Sequence, residues 1–165
     1  MNRIQQLEKR AQLMRRLGYQ FEDTALLELA LSHRSVGEPN NERLEFLGDA
    51  VLGTTISKLL FNQFPQASEG DLSRMRSAIV RAESLATIAR ELDLGEHLHL
   101  GPGELKSGGF SRDSILGDSV EALIGAIYID SDGSACESAI SNWFAQALAA
   151  ADYRAPAKDP KTALQ

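Results

Sequence analysis

Two apolar segments of the sequence each carry acidic residues at helical spacing. In the first segment, Glu42, Glu45 and Asp49 stand three and four residues apart, and in the second, Asp118 and Glu121 stand three apart. Side chains at these intervals share one face of a helix with 3.6 residues per turn. Each segment is therefore predicted to form a helix with an acidic face.

The sequence offers these acids little local neutralisation. Lys and Arg are absent from Leu44 to Ser57 and again from Asp113 to Tyr153. If the two helices pack together, carboxylates about 6 Å apart repel by roughly 3 kcal/mol per pair at an effective dielectric constant of about 20. Oxygen donors without His or Cys are the ligands that Mg²⁺, Mn²⁺ and Ca²⁺ prefer, and Mg²⁺ often takes phosphate as a further ligand. The acids thus predict a divalent-cation site acting on a phosphate ester.

A solvated helix face is the alternative explanation of acids at this spacing. It is disfavoured because these acids alternate with apolar residues, whereas acids on an exposed face normally alternate with Lys. The apolar neighbours are Phe46, Leu47, Val51 and Leu52 in the first segment and Val120, Leu123 and Ile124 in the second. The pattern therefore favours a metal site over a solvated helix face.

Four glycines lie in the same two segments. Each costs about 1 kcal/mol relative to Ala inside a helix. They are Gly48, Gly53, Gly117 and Gly125. Close approach of another backbone near the acids and ordinary helix packing explain them equally well.

The composition fits one globular domain of the cytoplasm, and no small-molecule cofactor is expected. The 165 residues are 43% hydrophobic, and the sequence shows neither a membrane-spanning stretch nor the apolar region of a signal peptide. Cys136 is the only cysteine, which excludes an internal disulfide and predicts an inert, buried thiol. The net charge of −6 is unusual for a nucleic-acid binder, so such a substrate requires bound cations or a basic module beyond this chain.

Apolar residues recur with a helical period along nearly the whole chain, so the fold is predicted to be all-α. The segment 40–64 is predicted to be the central helix, and residues 101–112, with four glycines and a proline, a non-helical loop. The other predicted helices comprise one ending at Gly18, one at Ala25–Leu31 after Asp23, one from Ser68 through Leu92 to Gly95, one at Asp113–Ile129, and one beginning at Ser134.

Several segments of the sequence resemble motifs of the ribonuclease III family. They are NERLEFLGDAVL at 41–52, EGDLSRMRSAIVR at 69–81, LGPGELKSGG at 100–109 and SILGDSVEALIGAIY at 114–128. The resemblance implies an all-α endonuclease domain over residues 1–151 that forms a homodimer and cuts both strands of double-stranded RNA. KDPKTALQ at 158–165 resembles the junction leading into a double-stranded-RNA-binding domain, so residues 152–165 are predicted to be a linker.

The resemblance also implies which acids hold the metal. Glu45, Asp49, Asp118 and Glu121, called the acidic quartet below, match the family's metal ligands, and Asp49 and Glu121 are the predicted catalytic residues. In such a site one or two Mg²⁺ ions, or Mn²⁺ as a substitute, activate water for in-line attack on phosphorus. The expected products carry 5′-phosphate and 3′-hydroxyl ends, and the expected substrates include structured precursors of rRNA and mRNA.

Further residues are assigned to the cleft, the dimer and the RNA. Glu42 and Glu69 match additional acids near the family's cleft, and Phe46 matches an aromatic residue that packs into the partner subunit. The predicted phosphate contacts are Arg74, Arg76, Arg81 and Lys106. Solvated surface charge is the alternative for each of these four. His33 has no spacing typical of a metal ligand and is assigned a structural role.

Three other functions remain as alternatives. An all-α nucleotide pyrophosphohydrolase also arrays acids around Mg²⁺, but its substrate is a nucleoside triphosphate. A di-iron helix bundle is disfavoured, because Glu42, Glu45 and Glu121 are not followed by His three residues later. A non-catalytic RNA-binding module of the same fold is expected to lose part of the acidic quartet, which this sequence keeps.

Overall fold

The computed structural model describes residues 1–154, which fold into α-helices joined by turns. The helices of this part of the chain are α1 (Arg3–Leu17), α2 (Thr24–Ala30), α3 (Glu42–Gln63), α4 (Glu69–Val80), α5 (Ala82–Glu91), α6 (Pro102–Lys106), α7 (Asp113–Asp130), α8 (Gly133–Trp143) and α9 (Ala145–Ala150). Residues 1–154 contain no β-strand, only an isolated parallel bridge between Ser32 and His99. The predicted all-α fold is confirmed.

Helix α7 lies at the centre of the domain. It is apolar on nearly all sides, and every residue from Ala122 to Ile127 is buried. A helix that is apolar nearly all round is stabilised by burial against several neighbours, and α3 and α5 both pack extensively against α7. The prediction that the segment 40–64 is the central helix is therefore wrong, because α3 keeps an exposed face that includes Phe46 and Phe61.

Several predicted helix ends are confirmed by their capping groups. Gly18 adopts a left-handed φ of 71° after α1, and its N–H donates to the Met14 carbonyl over 3.0 Å. Asp23 accepts a hydrogen bond from the N–H of Ala25 at the start of α2, and Ser68 and Asp71 form a capping box at the start of α4. These contacts satisfy backbone groups that have no partner within the helix.

The helix predicted from Ser68 through Leu92 is divided in two. Arg81 has an extended backbone, with φ −68° and ψ 158°, and separates α4 from α5. The break lets α4 pack on α3 while α5 packs on α7. The Ser84 hydroxyl donates to the Ala78 carbonyl over 2.8 Å and so satisfies a carbonyl near the end of α4. The prediction of a single helix is wrong because apolar spacing alone does not report a change of direction.

Two further boundaries differ from the predictions. The segment 101–112 is partly helical, since α6 begins with Pro102, and a 3-10 turn spans Gly109–Ser111. Proline suits the first position of a helix, where its missing N–H is not needed. The last predicted helix is capped by Asp132 rather than Ser134, because the Asp132 carboxylate accepts from the N–H of Ala135.

Helices α3 and α7 approach each other through glycine. A Cβ atom placed on Gly48 would lie 1.6 Å from the carbonyl oxygen of Glu121, and one on Gly125 would lie 2.2 Å from the carbonyl oxygen of Leu44. Close approach therefore explains these two glycines. Gly53 has open space where its Cβ would lie, so no neighbour within the chain requires glycine there.

The described chain ends on the domain surface. The Tyr153 ring packs edge-on against Phe64, with ring centroids 5.7 Å apart, so packing extends at least to this residue. Most of the predicted linker at 152–165 lies outside the described residues, and the domain boundary at residue 151 stays a prediction.

Cys136 is buried, and burial raises its thiol pKa to about 11, so the thiol stays protonated near neutral pH as an inert group. Within residues 1–154, no helix combines the length and hydropathy needed to cross a bilayer.

Candidate metal centre

The crossing of α3 and α7 brings the acidic quartet together. Carboxylate oxygens of Glu45, Asp118 and Glu121 lie within 4.8 Å of one another. Asp49 joins from the next turn of α3, where its carboxylate is within hydrogen-bond reach of Glu121. Three quartet members, all except the exposed Asp49, are half-buried between the helices. The convergence predicted from the two acidic faces is therefore present in the structure.

Burial and mutual repulsion favour protons on this cluster. Removal from water, with the hydrogen bond and charge of Asp49, raises the pKa of Glu121 to about 9. The pKa of Glu45 is raised to about 7, first by burial and then by the charge of Asp118. Burial also raises the pKa of Asp118. In the metal-free protein the quartet therefore tends to hold protons, which a bound cation must displace.

The donor set suits a hard divalent cation. All four groups supply carboxylate oxygens, and a cavity of about 310 Å³ opens beside Glu45 and Asp118. Mg²⁺ and Mn²⁺ bind carboxylates while keeping ligand positions for water and phosphate. A bound cation competes with the protons that burial favours and removes the repulsion among the acids. The residues present therefore fit the predicted metal.

The Ribonuclease-III-like family model matches residues 23–148, which include every member of the acidic quartet. The chain belongs to the ribonuclease III family.

Individual relatives and solved structures agree with this assignment. Ribonuclease 3 of Shewanella amazonensis is 57% identical over 153 residues, which are 93% of this chain and 68% of the relative. Ribonuclease 3 of Vibrio vulnificus (strain YJ016) is 56% identical with the same coverage. The nuclease domain of ribonuclease III from Campylobacter jejuni superimposes with a TM-score of 0.80 at 40% identity, over 82% of this chain and 95% of that one. The predicted family and enzyme class are confirmed.

The other residues predicted from the ribonuclease III resemblance lie at different distances from the quartet. Glu42 lines the cavity beside Glu45. Glu69 is exposed at the start of α4 and accepts a hydrogen bond from Ser73 over 3.1 Å, so within this chain its contacts are local. Phe46 is 82% exposed on α3. Roles for these three residues stay predictions.

The four basic residues predicted to contact RNA do not line the cavity beside the quartet in the described chain. Arg74 forms an ion pair with Asp71, and Arg81 lies 3.5 Å from Glu83. Arg76 donates to the Ser57 hydroxyl over 2.9 Å. Lys106 is exposed at the end of α6. Their assignment to RNA also stays a prediction.

The structure places three other basic residues at the ribonuclease III site. His33, Arg34 and Arg112 line the cavity that contains Glu45 and Asp118. His33 also has the structural role assigned to it, since its Nδ1 accepts from the N–H of Ser35 over 3.1 Å. Arg112 was not singled out from the sequence, although it directly precedes the helix that carries Asp118 and Glu121. Arg34 could not be recognised from its spacing in the sequence, because only the folding of the chain brings it near Asp118.

The raised pKa values predict how the metal-free protein responds to pH. Because folded Glu121 holds its proton more tightly than unfolded Glu121, its stabilising contribution is full below about pH 4.5 and is lost as pH rises towards 9. A screened contribution of about 2 kcal/mol lowers Tm by roughly 4–8 °C. Thermal unfolding in a chelator between pH 5 and pH 9 measures this loss.

A glutamine substitution isolates the contribution of Glu121 from that of other titrating groups. Buried His97 has its pKa lowered to about 4 by burial and nearby positive charge, so it destabilises the fold in acid. The difference in Tm between Glu121→Gln and the unmodified chain cancels this effect and should widen as pH rises. Excess Mg²⁺ should restore the Tm of the unmodified chain at high pH. A difference independent of pH would contradict the raised pKa.

Proposed function

We propose that the chain is a Mg²⁺-dependent endoribonuclease that hydrolyses both strands of double-stranded RNA. The observation that carries this proposal is the convergence of Glu45, Asp118 and Glu121, from two helices, within 4.8 Å. Membership of the ribonuclease III family supports the nuclease class. Mn²⁺ is expected to replace Mg²⁺, because both accept carboxylate oxygens. Structured rRNA and mRNA precursors are the proposed substrates, and a cytoplasmic location stays a prediction from the sequence.

The proposed mechanism assigns the quartet to cation binding and orientation. Glu45 and Asp118 come from facing helices, so together they would hold a cation. Asp49 and Glu121, the proposed catalytic pair, would complete the ligand set. A bound Mg²⁺ would supply the Lewis acidity that activates water for attack and neutralises charge on the phosphate. Water adds to phosphorus as the bond to the 3′ oxygen breaks, which leaves a 5′-phosphate and a 3′-hydroxyl.

We extend the proposal to a homodimer with two sites. The Campylobacter jejuni structure concerns a region involved in dimer formation of that nuclease domain. In this chain Phe46 is 82% exposed on α3, one residue from the metal ligand Glu45. Burying a phenyl ring of this exposure against a partner stabilises a dimer by about 1.5–3 kcal/mol. Glu42 and Glu69 are proposed as auxiliary acids of the two clefts, and a single-chain mass in solution would contradict this arrangement.

The proposed reaction is tested by incubating the chain with long double-stranded RNA in two parallel samples, one containing Mg²⁺ and the other a chelator. We expect cleavage to short duplexes only with the cation, and end-labelling should show 5′-phosphate and 3′-hydroxyl termini. A nucleoside triphosphate in a parallel reaction tests the pyrophosphohydrolase alternative, and the RNA should be cut while the triphosphate is left intact. Hydrolysis of the triphosphate without cleavage of RNA would overturn the proposal.

A further inference from the structure

The cavity beside the quartet is lined by both acidic and basic side chains. Its acidic lining residues are Glu42, Glu45, Glu104 and Asp118, and its arginines are Arg34 and Arg112. We call Arg34 and Arg112 the basic wall. The cavity holds about 310 Å³ and is open to solvent, so it can admit part of a nucleic-acid backbone.

The two arginines are placed by different means. Arg34 follows His33 in a turn that Ser35 joins to the segment after Leu100, since the Gly101 N–H donates to the Ser35 hydroxyl over 2.8 Å. Arg112 donates to Glu104 over 3.2 Å and to the Ser107 hydroxyl over 3.1 Å. These contacts orient the Arg112 guanidinium and leave others of its five N–H donors unused.

Arg34 lies beside the acids without pairing to them. Its positive charge is near enough to Asp118 to act against the effect of burial on the pKa of that residue. Among residues 1–154, however, no carboxylate oxygen lies within 4.0 Å of its guanidinium. A structural arginine at an acidic site normally forms such a pair, because a bidentate carboxylate contact satisfies its donors. The Arg34 donors are therefore free to bind an anion.

We propose that Arg34 and Arg112 bind the backbone phosphate next to the one that is cleaved, on the same RNA strand. This inference rests on the proposed function. When one phosphate lies at the quartet, its strand continues across the adjoining cavity, where Glu42 and Glu45 repel the next phosphate. Guanidinium groups at that point neutralise its charge and match its oxygens. The basic wall is thus a positioning subsite, distinct from the metal ligands.

The test measures RNA binding with cleavage blocked. In a Glu121→Gln background, Arg34→Gln and Arg112→Gln should each weaken binding to a short RNA duplex about tenfold, the effect of losing one charge-assisted contact. Because the subsite neutralises one phosphate, the double variant should lower the slope of log K against log salt concentration by about 1, and each single variant by no more than that. The matched control is Arg15→Gln, which removes the same charge from the exposed side of α1 and should leave the slope unchanged.

Two more measurements separate positioning from damage to the metal site. With Glu121 present, the arginine variants should raise KM more than they lower kcat, and Mg²⁺ should raise their Tm as it does that of the unmodified chain. Unchanged salt slopes, or lost Mg²⁺ stabilisation, would overturn the subsite while cleavage by the unmodified chain still supported the proposed function. If the unmodified chain neither bound nor cut duplex RNA, the proposed function would fail, and the subsite with it.

Discussion

Replacing Glu121 with glutamine is expected to slow cleavage of double-stranded RNA by about a thousandfold or more. Glutamine keeps the shape of the side chain but removes the charge that binds a cation. Metal stabilisation of a transition state is worth several kcal/mol, and about 4 kcal/mol corresponds to a thousandfold in rate. Single-turnover cleavage of a labelled duplex at saturating enzyme and Mg²⁺ measures the loss of the chemical step directly.

Stability should change in the opposite direction to activity. Burial raises the pKa of Glu121 to about 9, so its charged form destabilises the metal-free fold. Glu121→Gln should therefore unfold at the same or a higher temperature in a chelator, and added Mg²⁺ should stabilise it less. A residue that only supported packing would lose activity and stability together.

A matched glutamate controls for the substitution itself. Glu137 is also half-buried on a helix, but it pairs with Lys58 over 3.1 Å and lies outside the quartet. Glu137→Gln should keep near-normal cleavage and lose at most about 1 kcal/mol, as expected for a solvent-accessible ion pair. Near-normal cleavage by Glu121→Gln would remove the quartet from the mechanism.

The acidic quartet could be predicted because the residues that identify each acidic face are close together in the sequence. The intervals within Glu42–Asp49 and Asp118–Glu121 place acids on one face of each helix, and the lack of nearby Lys or Arg indicates an uncompensated charge. The family motifs supplied the remaining step, that the two faces meet. Helix ends marked by Gly18 and Asp23 were predictable for the same reason, since a cap acts within a few residues of its helix.

The features that sequence reasoning missed depend on long-range packing. The break at Arg81 leaves the apolar period intact, because α4 and α5 each bury a face, but against different helices. Arg34 and Arg112 are 78 positions apart and meet only when the turns before α3 and α7 fold together. The basic residues chosen from sequence lay in matched motifs instead. Composition and spacing carry no signal for a cavity assembled in this way.

The second large effect is expected at the crossing of α3 and α7. Gly48→Ala would place a methyl group 1.6 Å from the carbonyl oxygen of Glu121, so the two backbones must move apart. Overpacking of a core typically costs 1–3 kcal/mol, and a clash between two backbones, which no rotamer relieves, should reach about 3 kcal/mol or more. For a domain of this size that corresponds to a fall in Tm of roughly 6–12 °C, measurable by thermal unfolding.

The same displacement should also disturb the metal centre, because the added methyl group clashes with the backbone carbonyl of Glu121. Moving α7 away from α3 separates Glu121 and Asp118 from Glu45, so Gly48→Ala should lose Mg²⁺ stabilisation as well as intrinsic stability. Gly53→Ala is the matched control in the same helix, where the added methyl group meets no atom within 4 Å. Alanine is the better helix former, so this variant should gain about 0.4–1 kcal/mol and keep its response to Mg²⁺. Equal destabilisation by the two substitutions would mean that the close approach of α3 and α7 does not determine the effect at Gly48.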